Sequence, residues 1–191
     1  MTWKNSNLRY GSISIALHWL IFILIAAAYS FILLREVFPK DSDPRETMKV
    51  LHFMLGLSVL LLVLPRIAMR FMGSVPAITP EPPAWQHSAA RMTHLALYAF
   101  MVVMPLLGWL MLSAAGKPIP FYGLQLPALI NEDKELAKFI KEIHETLGEI
   151  GYYLIGLHVL AALYHHFIQR DNSLLNMLPA TLAIRLKLKQ N

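Results

Sequence analysis

Eight histidines and no cysteine limit the chemistry open to this chain. Without thiols there is no disulfide, thiolate metal site, iron–sulfur cluster or covalent C-x-x-C-H haem attachment, so imidazole is the main ligand for a transition metal. His18, His52, His94, His144, His158, His165 and His166 fall in long apolar runs, and His87 falls between two of them. Ionisable groups inside a membrane span are costly and point to function. His144 and His158 are 14 residues apart. At about 100° per residue they face within about 40° of each other and stand about 21 Å apart along the axis, one near each membrane surface. Gly148, Gly151, Ala161 and Ala162 on the same run leave room for a flat ring beside the helix.

Depth assigns each of these two a partner. His52 starts the second run at the level of His144, with Gly56 one turn below it. His18 lies two turns into the first run, near the level of His158. The pairs His52/His144 and His18/His158 therefore predict two b-type haems, an outer and an inner one. Two imidazoles on opposite faces of the ring leave the iron no vacant position, which suits electron transfer better than oxygen binding. His94, at the mouth of the third run, is an alternative to His18. His165 is seven residues past His158 on the same face, and reads either as an interfacial histidine or as a proton-delivery group. His166 and His87 read as surface residues. Arg66 is either an ordinary membrane anchor or a partner for a haem propionate or a quinone. Lys117 is a candidate for the outer propionates.

The elements that must hold these residues are four apolar stretches, residues 11–34, 49–69, 91–112 and 143–167. Each meets the roughly 20 residues that a membrane-spanning helix requires. The chain of 191 residues is 56% hydrophobic and only 15% charged, where a soluble domain carries about 25% charged residues. The fold class expected is all-α, an integral membrane four-helix bundle with the haems between helices, as one domain over residues 1–191. The first run is too long for the apolar core of a cleaved signal peptide and carries a histidine, so it reads as a span. Residues 76–85, with Pro76, Pro80, Pro82 and Pro83, read as a rigid loop. Residues 134–142 mix charges at helical spacing and read as an exposed lead-in to the fourth helix.

Charge sets the orientation. The N-terminus, second loop and C-terminus carry Lys4, Arg9, Arg66, Arg70, Arg91, Arg170, Arg185, Lys187 and Lys189 against Glu81 and Asp171, a balance of +7. The other side holds eight basic and ten acidic residues, a balance of −2, and together they give the chain its +5. The positive-inside rule then predicts that both termini are cytoplasmic. Basic residues dispersed among short loops, rather than gathered in a stripe, argue against nucleic acid as a partner; the partner implied is membrane lipid.

These residues also carry a resemblance. The run H-E-T-L-G-E-I-G-Y-Y-L-I-G-L-H-V-L-A-A-L-Y-H-H-F at 144–167, followed by D-N-S-L-L-N-M-L-P at 171–179, resembles the fourth helix of the bacterial cytochrome b-561 family. L-H-W at 17–19, the histidine of the second run, P-P-A-W-Q at 82–86, and G-K-P with F-x-G at 116–123 extend it over nearly the whole chain. The resemblance implies a di-haem cytochrome b of the bacterial inner membrane, with His18, His52, His144 and His158 as axial ligands and ubiquinone as electron partner. It further implies superoxide oxidation at the periplasmic side and quinone reduction at the cytoplasmic side, near His165, His94 and Arg66. Two other functions are compatible with the residues. One is a haem subunit linking a periplasmic dehydrogenase or hydrogenase to the quinone pool through a redox partner protein. The other is a metal or proton transporter with histidines along its path.

Overall fold

The computed structural model describes residues 3–187; Lys189, counted above with the C-terminal basic residues, lies outside them. Four long helices dominate: α1 (Ser12–Leu34), α2 (Asp43–Met72), α3 (Ala84–Ala114) and α4 (Lys134–Tyr164). A short hairpin of β1 (Ile119–Phe121) and β2 (Leu124–Leu126) separates α3 from α4, and α5 (Ser173–Asn176) and α6 (Ala180–Lys187) follow. The chain is an all-α membrane protein with four helices long and apolar enough to span a bilayer. In their most apolar stretches only 6–22% of residues are buried, so the greater part of each helix surface is apolar and needs lipid against it.

The helices are longer than the apolar runs because local signals extend them past the bilayer. α2 begins at Asp43 with Pro44 in its first turn, where a missing N–H costs nothing, and Asp43 and Glu46 complement the positive end of the helix. α3 starts at Ala84, so residues 84 and 85 are helical rather than part of the proline loop. Pro83 sits just ahead, and its carbonyl accepts the Gln86 N–H at 2.9 Å. Asp133 caps α4 by accepting the Leu136 N–H on its side chain at 3.0 Å, and the charged lead-in is continuous with the span. α3 ends in a left-handed turn at Gly116 (φ 63°), where the Lys117 N–H reaches back to the Leu112 carbonyl at 3.0 Å.

The hairpin does not follow from hydropathy. Tyr122 and Gly123 both have positive φ, 46° and 85°, as a two-residue turn between antiparallel strands demands, and Phe121 pairs with Leu124. Its first strand buries Ile119 against Leu57 and Leu112.

The described residues form two compact units, and each long helix contributes a stretch to both. Of the described residues, the first unit comprises 3–20, 64–98 and 152–187; the second comprises 21–63 and 99–151. In the first, Asn5 accepts the Gly11 N–H at 2.9 Å and the Ser14 hydroxyl at 2.8 Å, Arg9 donates to the Leu178 carbonyl, and the Trp19 indole donates to the Met177 carbonyl at 2.8 Å. In the second, the Tyr29 hydroxyl donates to the Gly148 carbonyl at 2.7 Å and the Trp109 indole to the Pro127 carbonyl at 3.0 Å.

Candidate functional site

The second unit brings the rings of His52 of α2 and His144 of α4 together edge-on, with centres 6.3 Å apart and planes at 83°. His52 Nδ1 lies 2.9 Å from the Ala28 carbonyl. A carbonyl only accepts, so Nδ1 carries the proton and the Nε2 lone pair is free for a metal. His144 Nδ1 is buried and closes no normal hydrogen bond, although the Met104 carbonyl faces the ring. The two rings border a small apolar cavity of about 40 Å³ whose wall includes Gly56, Gly108 and Ile119.

The glycines around it differ in use. A Cβ on Gly56 would meet nothing within 4 Å, as expected of a position that leaves room for a ring. Gly151 does something else. A Cβ there would collide with the Phe100 ring and the Tyr29 hydroxyl, so that position is already filled by α1 and α3 side chains rather than held open.

The first unit gathers His18, His94, His158 and Arg66. His18 and His158 have ring centres 6.3 Å apart with planes at 74°, and His94 and His158 are 5.4 Å apart. Arg66 donates from Nη1 to the Ser14 carbonyl at 3.0 Å and from Nη2 to His18 Nδ1 at 3.1 Å. Because a guanidinium only donates, Nδ1 of His18 is the acceptor and the ring proton sits on Nε2. Binding iron at Nε2 would move that proton to Nδ1 and free Arg66 Nη2.

Ring separation tests whether haem fits. A metal–imidazole bond is about 2 Å, and the ring centre lies about 1 Å behind its nitrogen, so two imidazoles sharing one iron stand about 6 Å apart. His52/His144 and His18/His158 meet this at the same 6.3 Å. His94/His158 is too close for an iron between them. The spacing of the two pairs and the open space at Gly56 fit imidazole ligation of a haem iron, for which the cavity must widen and His18 must change tautomer.

The remaining candidates lie elsewhere. His165 is in a π-helical segment, His165–Gln169, that continues α4, and it pairs with Asp171 at 2.5 Å. Asp171 is 2% exposed and was counted above only as a loop charge; its position six residues past His165, in an Asp-Asn-Ser turn, was the available signal. His166 is buried, at 2% exposure, and not a surface residue: the wider π turn re-aims the side chains that follow an α-helical register. His87 is exposed, as expected. Lys117 is exposed in the second unit, near Glu46, which also pairs with Lys49 at 2.6 Å.

Comparison with known proteins places the chain in a family. Residues 9–180 match the family described as prokaryotic cytochrome b561. Cytochrome b561 homolog 1 of Escherichia coli (strain K12) is 39% identical over 171 residues, covering 90% of this chain and 97% of that protein. The probable superoxide oxidase CybB of Yersinia pestis is 34% identical over 171 residues, covering 90% and 96%. Cytochrome b561 homolog 2 of Escherichia coli (strain K12) is 30% identical over 179 residues, covering 93% and 95%. The chain belongs to the prokaryotic cytochrome b561 family, multi-pass membrane proteins that bind haem b and transfer electrons.

Proposed function

We propose that this chain is a superoxide:ubiquinone oxidoreductase of the bacterial inner membrane, with two haems b and both termini cytoplasmic. The observation that carries the di-haem reading is the equal 6.3 Å separation of two histidine pairs. Superoxide as the donor is supported by the 34% identity to a protein named as a probable superoxide oxidase.

In the net reaction two superoxide anions become two O2 molecules, each anion giving one electron, and ubiquinone takes those two electrons and two protons to become ubiquinol. Haem b, when bound, would supply an iron that changes oxidation state by one electron. The chain's own part is to hold and orient. His52 and His144 are the ligands of one haem and His18 and His158 those of the other. The Ala28 carbonyl fixes His52 in its ligating tautomer. Arg66, released from His18, becomes available to a propionate or a quinone oxygen, and Lys117 to the other propionates. His165 supplies a proton at the quinone, and His94 lines that end without ligating iron.

Stopped-flow mixing of the purified, oxidised protein with superoxide tests this reading. Reduction of about two b-type haems per chain, followed by reoxidation on adding ubiquinone-1, is the expected result. A colourless protein would leave only a metal or proton pathway.

One observation favours a second reading. On the side with balance −2, Arg35 and Arg45 pair with Glu36, Lys49 with Glu46, Lys134 with Glu132 and Lys141 with Glu145. An anion is drawn in by unpaired positive charge, so this face also suits a protein donor, a periplasmic dehydrogenase or hydrogenase. Haems that stay oxidised in superoxide but are reduced by such a partner would select it.

A further inference from the structure

Beyond its π-helical segment the chain reverses at Arg170, which adopts a left-handed φ of 54°. The reversal folds Asp171 back onto His165 through two bonds. The Asp171 N–H donates to the His165 carbonyl at 3.1 Å, and Asp171 Oδ2 lies 2.5 Å from His165 Nδ1. Asp171 Oδ1 accepts the Ser173 N–H at 2.9 Å. The carboxylate side chain is 2% exposed and the imidazole 20%. A carboxylate so buried is costly unless each oxygen has a donor, and here each has one.

The next residue fixes the turn in place. Asn172 accepts the Thr79 N–H on its side chain at 2.8 Å, and its own N–H donates to the Thr79 carbonyl at 3.2 Å. Its amide also donates to the Ala77 carbonyl at 3.2 Å. Asp171 therefore stands on a turn held to the loop between α2 and α3, all within the first unit.

An ionised carboxylate only accepts, so Nδ1 of His165 must be the donor. That leaves Nε2 as the nitrogen that takes up and releases a proton, while the carboxylate behind the ring stabilises the imidazolium that forms in between. We infer that Asp171 is a positioning residue that holds His165 as the Nδ1–H tautomer, so that Nε2 hands a proton to the quinone. The inference rests on the quinone reading above and adds the residue through which His165 acts. Of the two protons that ubiquinone takes with its two electrons, one passes from His165 Nε2 to a quinone oxygen and the other comes from water. Water then reprotonates His165.

Asp171→Asn tests it in the intact, haem-loaded protein. Asn keeps the shape and an oxygen for the Ser173 N–H, but its amide would donate to His165 Nδ1 and drive the ring proton to Nε2. The expected variant has unchanged haem content and unchanged reduction by superoxide. Its kcat for ubiquinone-1 reduction falls about 100-fold or more, with KM within about twofold, the range of a lost general acid. In ¹⁵N-histidine NMR, a far-downfield Nδ1–H signal is expected in the wild type and is absent from both Asp171→Asn and His165→Gln. Full quinone turnover in a haem-loaded Asp171→Asn would overturn the role of Asp171 while leaving the quinone reading intact. A wild type that reduces no quinone would overturn that reading, and this inference with it. If the Asn variant does not assemble, the wild-type spectrum decides: an Nε2–H tautomer for His165 sinks the proposal.

Discussion

An imidazole that ligates iron through Nε2 needs an acceptor at Nδ1, and of these two pairs His52 has one in place while His18 does not. His52 already donates to Ala28, whereas His18 accepts from Arg66. The proposed assignment makes the pairs separable. His158→Ala is expected to lower the haem content from about two to about one per chain, with the remaining α band matching that of the wild-type His52/His144 haem in a redox titration. Loss of both haems, or of neither, would contradict the pairing. Arg66 gives a second test. Removing a cation near a haem favours the oxidised iron, and one charge at about 8 Å in a medium of effective dielectric about 20 is worth about 2 kcal/mol. Arg66→Gln should therefore lower one of the two midpoint potentials by about 50 mV or more and leave the other in place. These residues were legible because a histidine in an apolar run is conspicuous. Asp171 was marked only by its place in an Asp-Asn-Ser turn six residues past His165, which does not show that a left-handed Arg170 will bury it under His165.

At the level of elements, the four spans were readable from hydropathy, because lipid imposes length and apolarity on any helix that crosses it. Their ends were not. Hydropathy missed six residues at the start of α2, whereas the nine at the start of α4 were anticipated by charges at helical spacing; capping and first-turn charge decide where a helix begins in water. The hairpin is too short to show a period, and the π segment has the same composition as the α-helix before it. Gly151 shows how a correct residue choice can carry a wrong reason. The spacing marks it as small, but what needs the space is the contact with Phe100 and Tyr29. Gly151→Leu should overpack that contact and cost about 1–3 kcal/mol, read as a lower melting temperature of the detergent-solubilised protein. Gly56 predicts the opposite pattern, because its neighbourhood is open. Gly56→Leu should leave the melting temperature of the haem-free chain nearly unchanged and depress loading of the His52/His144 site.

For the molecule as a whole, charge does the work that packing does elsewhere. The proposed orientation rests on the balance of +7 on one set of loops and −2 on the other, because membrane insertion retains Lys and Arg on the cytoplasmic side. The chain suits a direct test, for it contains no cysteine. Lys138, on the exposed first turns of α4, and His87, exposed near the start of α3, belong to the two opposite loop sets. In intact cells a membrane-impermeant maleimide is expected to label Lys138→Cys and to spare His87→Cys, and inverted membrane vesicles should reverse the pattern. Both substitutions are at solvated positions away from every histidine pair, so haem content should be unaffected and serves as the control for folding. The opposite labelling would place the His18/His158 pair, Arg66 and His165 on the periplasmic side. Superoxide would then have to enter where a proton-coupled quinone site is proposed, and the direction of electron flow argued from charge would fail together with the orientation.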